Sequence, residues 1–165
     1  MQIVAYEAPG WGVGELWFDD GRVVNHELPA PKTHKTDLVT DRYVHNALPR
    51  IGEELLPRIG AYFAGEEVDF GDVELDLSWT TPFQRAVADA LRAIPYGETV
   101  TYGELAALAG HPNAQRAAGS FCAGNRFPLF VPCHRVVAAD GLGSYGSLGR
   151  GYKRRLLALE GHAAL

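Results

Sequence analysis

The sequence predicts a mixed α/β (α+β) protein of two units, the first with a small antiparallel sheet and the second built mainly from short helices. Three observations predict this: apolar and polar residues alternate near the start, capped helical patterns follow residue 80, and charge is distributed unevenly. Residues 1–81 carry 6 Lys/Arg and 15 Asp/Glu, whereas residues 82–165 carry 9 and 5. Such asymmetry indicates two units, of which the second would meet any polyanion. We expect domains at 1–79 and 80–165.

The composition is typical of a soluble globular protein. Hydrophobic residues make up 47% of the 165 positions, yet no apolar run reaches the roughly 18 residues needed to cross a bilayer. The first ten residues, MQIVAYEAPG, lack the basic-then-apolar pattern of a signal peptide. Two cysteines are too few for a disulfide framework. We therefore expect a cytoplasmic protein with free thiols and no membrane partner.

The first half begins with strand-like segments. QIVAYEAP and GELWFDDGRVVNHELP alternate apolar and polar residues around turn signals such as Asp20-Gly21, which predicts a small antiparallel sheet. The segment PAPKTHKTD predicts a surface loop or linker. Residues 47–65 then place apolar side chains at helical spacing, and Pro57 is expected to kink or split that helix.

The second half contains clear helix-start signals. Thr81 is an N-cap followed by proline, and the pattern Thr-Tyr-Gly-Glu at 101–104 fits a capping box that opens the helix YGELAALA. Gly110 ends this helix, and Asn113 is expected to cap the next one, AQRAAGSFCA. Two short helices joined by about four residues are the helix-turn-helix signature, although two packed helices with no DNA role share the pattern.

The second of these helices consists mostly of small residues, and its long polar side chains are Gln115 and Arg116. A helix that reads the major groove needs several long donors and acceptors. The composition therefore leaves two interpretations. Either the small residues allow tight helix packing, or a thin helix enters the minor groove and Arg116 is the side chain that enters the base stack.

The stretch VPCHRVV contains the cysteine of greatest interest, Cys133. The preceding FPLFV has the pattern of a buried strand, which Pro132 would end. A free cysteine is most often a buried structural residue. The adjacent His134 favours a reactive thiol, because histidine can draw off the thiol proton through a turn or a bridging water.

The final helix, GYKRRLLALEG, is predicted to pack on Tyr152, Leu156 and Leu159. Glu160 lies in its last turn, where a carboxylate opposes the helix dipole. Such a residue is either a tolerated surface glutamate or an acid that orients a histidine.

Several segments, in order and correctly spaced, resemble the O6-alkylguanine-DNA alkyltransferases (methylated-DNA–protein-cysteine methyltransferases). They cover most of residues 80–162 and are FQRAVADALRAIPYGETVTYGELAALAG, AQRAAGSFCAGN, VPCHRVV, GSYGS and KRRLLALEGH. The resemblance implies an N-terminal ribonuclease-H-like domain and a C-terminal winged helix-turn-helix-like domain. It also implies a monomer that can cluster on DNA and that needs no cofactor.

The activity that the resemblance implies is direct-reversal repair of double-stranded DNA containing O6-alkylguanine, with O4-alkylthymine as a second substrate. The alkyl group is transferred once and irreversibly after the nucleotide flips through the minor groove. By resemblance Cys133 accepts the alkyl group, His134 takes the thiol proton through a water, and Glu160 orients that histidine. Asn125 belongs to the same hydrogen-bonded turn. Tyr102 crowds a phosphate and donates a proton to the guanine.

The resemblance also assigns DNA and pocket contacts. Arg116 fills the hole left by the flipped base, beside the other residues of its helix: Gln115, Ala117, Ala118, Gly119 and Ser120. The pocket is formed by backbone groups of Val131 and Pro132 and by the loop of Gly143, Ser144, Tyr145, Gly146 and Ser147. Phosphate contacts are expected from Arg126, Arg135, Lys153, Arg154 and Arg155, although Arg135 could equally form a buried pair and the 153–155 run could be a solvated face.

Two departures from the family pattern affect these expectations. His26, His34 and His45 have no cysteine near them, so the N-terminal Cys/His zinc site of some relatives is not expected, and no metal site is predicted. The loop before Tyr145 is one residue shorter, and Gly146 stands where a serine is common, which leaves the alkyl range open. Cys122 is assigned to packing.

Three alternatives to transfer remain. A lesion-binding relative without transfer is disfavoured because such relatives lack the acceptor cysteine. A Cys/His hydrolase leaves the Arg116 helix unexplained. A DNA-binding regulator would need an effector domain, for which the two predicted domains leave no residues.

Overall fold

The computed structural model describes residues 1–31 and 48–162, and the chain divides into two compact units, Met1–Asp76 and Leu77–Leu165. Most of the predicted PAPKTHKTD loop, with His34, and also His45 lie outside the described residues. Among the described residues, no helix is long and apolar enough to span a membrane.

The first unit contains the predicted antiparallel sheet. Its three strands, β1 (Gln2–Ala8), β2 (Gly12–Asp19) and β3 (Arg22–Ala30), pair in sequence order. Asp20 and Gly21 connect β2 to β3 and have φ values of 49° and 73°. Positive φ at both central positions is the geometry of a two-residue hairpin turn, which explains why an Asp-Gly pair stands there.

Helix α1 (Arg50–Phe63) belongs to the same unit and is continuous through Pro57, so the helix is not split. Leu55, Ile59 and Phe63 are buried on one face, as their helical spacing predicted.

The second unit consists of short helices and a two-stranded parallel sheet. Its elements are α2 (Pro82–Arg92), β4 (Val100–Thr101), α3 (Tyr102–Leu108), α4 (Gln115–Ala123), β5 (Val136–Val137) and α5 (Gly149–Leu159). Both predicted helix starts are confirmed, because Thr81 with Gln84 and Thr101 with Glu104 form reciprocal capping boxes. Strands β4 and β5 pair Val100 with Val136.

Two local predictions in this unit are wrong. Asn113 does not cap α4: it adopts φ 72° in the preceding turn, and Ala114 precedes the helix with no side-chain cap bond. FPLFV is not a strand, because residues 127–131 form a turn closed by a 2.8 Å hydrogen bond from Val131 N to Phe127 O. Most of its apolar side chains are buried all the same, and a short buried run does not reveal its backbone conformation.

The buried face of α5 also differs from the prediction. Lys153, Leu156 and Leu157 are fully buried, whereas Tyr152 and Leu159 are half-buried. The helix therefore directs a charged side chain into the interior of the second unit, and Glu160 follows as its buried C-cap residue.

Candidate active site

Cys133 opens a tight 3-10 turn, Cys133–Arg135, that leads into β5. Asn125 holds this turn from the end of α4: its Nδ2 donates to the Val131 carbonyl at 2.8 Å and approaches Cys133 Sγ at 3.2 Å. Its Oδ1 accepts from Phe127 N at 2.9 Å. Asn125 thus both shapes the chain before the cysteine and supplies the sulfur with a hydrogen-bond donor.

A buried polar cluster adjoins Cys133 in the chain. His134 Nε2 lies 2.6 Å from Glu160 Oε2, and Glu160 Oε1 accepts from Arg135 Nε at 2.8 Å and from Gly97 N at 3.0 Å. Arg135 also donates to the Ile94 carbonyl at 2.7 Å. Glu160 is therefore not a surface residue, and Arg135 forms a buried pair instead of contacting phosphate.

This cluster and its burial favour the neutral form of His134. Burial alone would raise the pKa of Glu160, but the hydrogen bonds and charges of His134 and Arg135 hold that pKa well below its ordinary value. Burial lowers the pKa of His134. A neutral imidazole beside a carboxylate, which can only accept, carries its proton on Nε2 and presents Nδ1 as an acceptor. Nδ1 is therefore the ring nitrogen of His134 that can accept a proton.

A small cavity of about 30 Å³ lies beside Cys133. Its walls come from three elements and the 143–147 loop, and its lining residues are Tyr102, Gly119, Cys122, Ala123, Cys133, Ser144, Tyr145 and Gly146. The structure thus brings Ser144, Tyr145 and Gly146 together with the cysteine. Cys122, which the sequence assigned to packing, is a wall of the same cavity.

Three residues that were predicted to form the pocket do not line this cavity. Ser147 is exposed on the 3-10 turn Gly146–Leu148 and does not line this cavity. Val131 and Pro132 are buried, and the Val131 carbonyl already accepts hydrogen bonds from Asn125 and from Cys133 N. That carbonyl therefore serves the turn of the cysteine.

A shallow groove along α4 shares part of the cavity's lining. Tyr102, Gly119 and Ser144 border both, and the groove continues along Gln115, Arg116 and Ser120. The exposed residues of α4 thus include most of those predicted to contact DNA. Ala118 is the exception: it is fully buried, so its predicted DNA contact is wrong and its small side chain serves packing.

Lys153 was predicted to contact phosphate, and this prediction is wrong because the residue is fully buried. Its Nζ donates to the Ser144 carbonyl at 3.2 Å and lies 5.8 Å from the centre of the Tyr102 ring. One signal in the sequence indicated this burial. Lys153 stands three, four and seven positions before Leu156, Leu157 and Glu160, and residues at these spacings share a helix face. Arg126, Arg154 and Arg155 are exposed, and their phosphate contacts stay predictions.

Comparison of the sequence with known proteins identifies the family. The sequence model of one protein family, the DNA-binding domain of 6-O-methylguanine DNA methyltransferase, matches residues 82–162. The methylated-DNA–protein-cysteine methyltransferase of Mycolicibacterium paratuberculosis is 50% identical over 113 residues, which is 68% of this chain and 67% of that protein. Its namesake from Methanothermobacter thermautotrophicus is 37% identical over 90% of this chain and 79% of that protein. The chain belongs to this methyltransferase family.

Solved structures of the family share the fold. The crystal structure of Mycobacterium tuberculosis O6-methylguanine methyltransferase is 34% identical, has a TM-score of 0.77 and is matched over 99% of this chain and 96% of that one. The M. tuberculosis OGT structure in complex with DNA is 37% identical with a TM-score of 0.77, over 98% and 94% of the two chains. The resemblance and the mixed α/β fold are both confirmed.

Proposed function

We propose that this chain repairs O6-alkylguanine in duplex DNA by direct reversal, moving the alkyl group to Cys133 in a single irreversible transfer. One observation carries the proposal: Cys133 lines a cavity in the region that matches the family's DNA-binding domain, and the residue after it, His134, forms a buried pair with Glu160. The sequence resemblance assigned the same roles to these residues.

The transfer step follows from this geometry. Sγ of Cys133 attacks the alkyl carbon, an S–C bond forms, and the C–O bond breaks with its electron pair moving to guanine O6. The thiol proton passes through a water to Nδ1 of His134, and Glu160 stabilises the resulting imidazolium. Tyr102, which lines the cavity, supplies the proton that neutralises the departing guanine. The product is a thioether, and guanine is restored.

Magnitudes indicate where the acceleration arises. An ordinary thiol is a few per cent ionised at pH 7, so complete ionisation gains at most about 30-fold, roughly 2 kcal/mol. Alignment of sulfur, carbon and oxygen in the cavity can contribute roughly 7–11 kcal/mol. Burial raises the pKa of the Cys133 thiol further. Removal of its proton by His134 therefore has to accompany alignment.

Access to O6 requires the nucleotide to leave the duplex, at a cost of a few kcal/mol. The groove on α4 suits this task because Gly119 and Ser120 are small and allow close approach of the backbone, while Arg116 is long and exposed. We assign Arg116 to the space left in the stack and Tyr102 to the displaced phosphate. The proposal extends to a ribonuclease-H-like first domain, a winged helix-turn-helix-like second domain, and a monomer that acts without a cofactor and can cluster on DNA.

The stoichiometry of lesion removal tests the proposed function. Duplex DNA with one O6-methylguanine is incubated with increasing protein, and the remaining lesion is counted after digestion. We expect removal to rise linearly and stop at one lesion per protein molecule, because the thioether has no route back. Several lesions removed per molecule would indicate a hydrolase, and binding without removal would indicate the lesion-binding alternative.

Arg116→Ala is expected to slow repair in duplex DNA by about tenfold or more, since the vacated stack is then left empty. Reaction with the free base O6-benzylguanine should stay within about twofold of wild type, because a free base needs no extrusion. Rates of adduct formation on the two substrates provide the measurement. Arg85→Ala, which removes an exposed arginine outside the groove, is the matched comparison and should stay within about twofold of wild type on both substrates. Equal losses on both substrates would remove Arg116 from this role.

A further inference from the structure

Tyr145 has the largest side chain in the loop that forms one wall of the reactive cavity. Its backbone carbonyl accepts a hydrogen bond from Gly149 N at 2.9 Å, and Gly149 is the first residue of α5. Gly149 adopts a φ of 85°, a backbone conformation that favours glycine. This bond fixes the backbone of Tyr145 to the start of the helix. It does not set the direction of the aromatic ring.

The Tyr145 ring packs against a second aromatic ring, that of Tyr152 on α5. The two ring centres lie 6.3 Å apart and their planes differ by 18°, so the rings are stacked. Interacting aromatic pairs have centre separations of roughly 4.5–7 Å. Tyr152 is half-buried and is not one of the residues that line the cavity. Within this pair, Tyr145 therefore borders the cavity, and Tyr152 contacts it from outside the cavity lining.

The loop needs such support because of its composition. Six residues, GSLGRG, separate Tyr145 from Tyr152, and three of them are glycine, which restricts the backbone least. An extruded base is recognised in part by stacking against aromatic or apolar side chains. A side chain that is ordered only when its ligand arrives weakens binding, whereas a side chain already held in place does not. The stacked pair therefore prepares the cavity wall before a base enters.

We propose that Tyr152 is a positioning residue for base binding: its ring, stacked on Tyr145, holds the Tyr145 wall of the cavity in the orientation that receives the extruded guanine. This inference rests on the proposed function. Because Tyr152 lies outside the cavity lining, we expect it to change the affinity for the base and to leave the transfer step to Cys133 unchanged. The role needs the aromatic ring of Tyr152 and not its hydroxyl group.

The free base O6-benzylguanine separates binding from transfer. The rate of Cys133 benzylation at increasing concentrations of the base gives a half-saturating concentration and a limiting rate. Tyr152→Leu should raise the half-saturating concentration about three- to tenfold, the scale of one lost aromatic pair, and leave the limiting rate within about twofold of wild type. Tyr152→Phe keeps the ring, so both constants should stay within about twofold. Arg150→Leu, which changes an exposed residue of the same helix, is the matched control and should behave likewise.

A double-mutant cycle tests whether Tyr152 acts through Tyr145. Tyr145→Leu should itself raise the half-saturating concentration, and Tyr152→Leu added to it should change that concentration by less than about twofold, because the ring that Tyr152 supports is gone. If Tyr152→Leu has no effect in the wild-type background, has the same effect in both backgrounds, or lowers only the limiting rate, the proposal is wrong. Tyr152→Met gives the same comparison if the leucine variant does not fold.

Equilibrium binding of O6-benzylguanine to Cys133→Ser repeats the cycle without chemistry. Calorimetry on this variant and on its Tyr152→Leu and Tyr145→Leu derivatives gives the dissociation constants, for which we expect the same change of about three- to tenfold and the same lack of additivity. Failure of the proposed function is seen separately, as wild-type protein that removes no methyl group from DNA while the base still binds with this pattern. Additive changes in the dissociation constant overturn the positioning role even where transfer proceeds.

Discussion

Glu160→Ala is expected to destabilise the second unit by about 3–5 kcal/mol, the usual result of breaking a buried ion pair from one side. Glu160 accepts hydrogen bonds from Arg135, His134 and Gly97 N, so its loss leaves a buried guanidinium without an anion. Urea denaturation at pH 7 gives the change in unfolding free energy. Glu98→Ala, an exposed carboxylate, should stay within about 0.5 kcal/mol of wild type.

The same substitution should slow alkyl transfer at temperatures where the variant is folded, because His134 loses the group that holds its Nε2 proton and stabilises the imidazolium. If Glu160→Ala lowers the free energy of unfolding by less than about 1 kcal/mol, the range measured for exposed ion pairs, then Glu160 does not anchor this cluster.

Acid should weaken the fold in a defined order. The lowered pKa of His134 means that the unfolded chain takes up a proton first, so stability falls as pH drops below about 6.5. The lowered pKa of Glu160 means that its contribution is present above about 4.3 and is lost as pH falls further. The difference in unfolding free energy between wild type and Glu160→Ala should therefore become smaller below that pH. If this difference grows as pH falls, the carboxylate of Glu160 does not stabilise the fold in its charged form.

The sequence predicted the features that neighbouring residues encode. The helix starts at Thr81 and Thr101 and the Asp20-Gly21 hairpin each depend on residues within a few positions of one another. The strand prediction for FPLFV was wrong because apolar residues are buried equally well in a turn. The left-handed φ of 80° at Leu129 is not indicated by any residue type in an apolar run.

Lys153, Arg135 and Ala118 show the limit set by tertiary packing. Lys153 was expected to contact phosphate, the resemblance assigned Ala118 to DNA, and Arg135 was expected either to contact phosphate or to form a buried pair. All three residues are buried. Burial of Arg135 depends on Glu160, 25 positions away, and burial of Lys153 depends on which face α5 turns to the second unit. The burial of Arg135 is therefore not encoded locally. For Lys153 the helical spacing indicates a face shared with Leu156 and Leu157, but not that this face is the buried one.

Cys133→Ser is expected to abolish transfer, because serine carries no thiolate and a hydroxyl is a far weaker nucleophile near neutral pH. Lesion binding should persist, since the cavity and the α4 groove are unchanged. Cys122→Ser should still form a single adduct, because burial raises the pKa of the Cys122 thiol and keeps it protonated. Gel-shift binding and adduct formation on the same lesion duplex separate these effects.

The acceptor itself is tested most directly by weighing the intact protein after incubation with duplex DNA containing O6-methylguanine, then mapping the modified peptide. We predict one added methyl group, a gain of about 14 Da, on Cys133 and none in Cys133→Ser. An adduct on Cys122, more than one adduct per molecule, or removal of the lesion without any gain in protein mass would contradict the account.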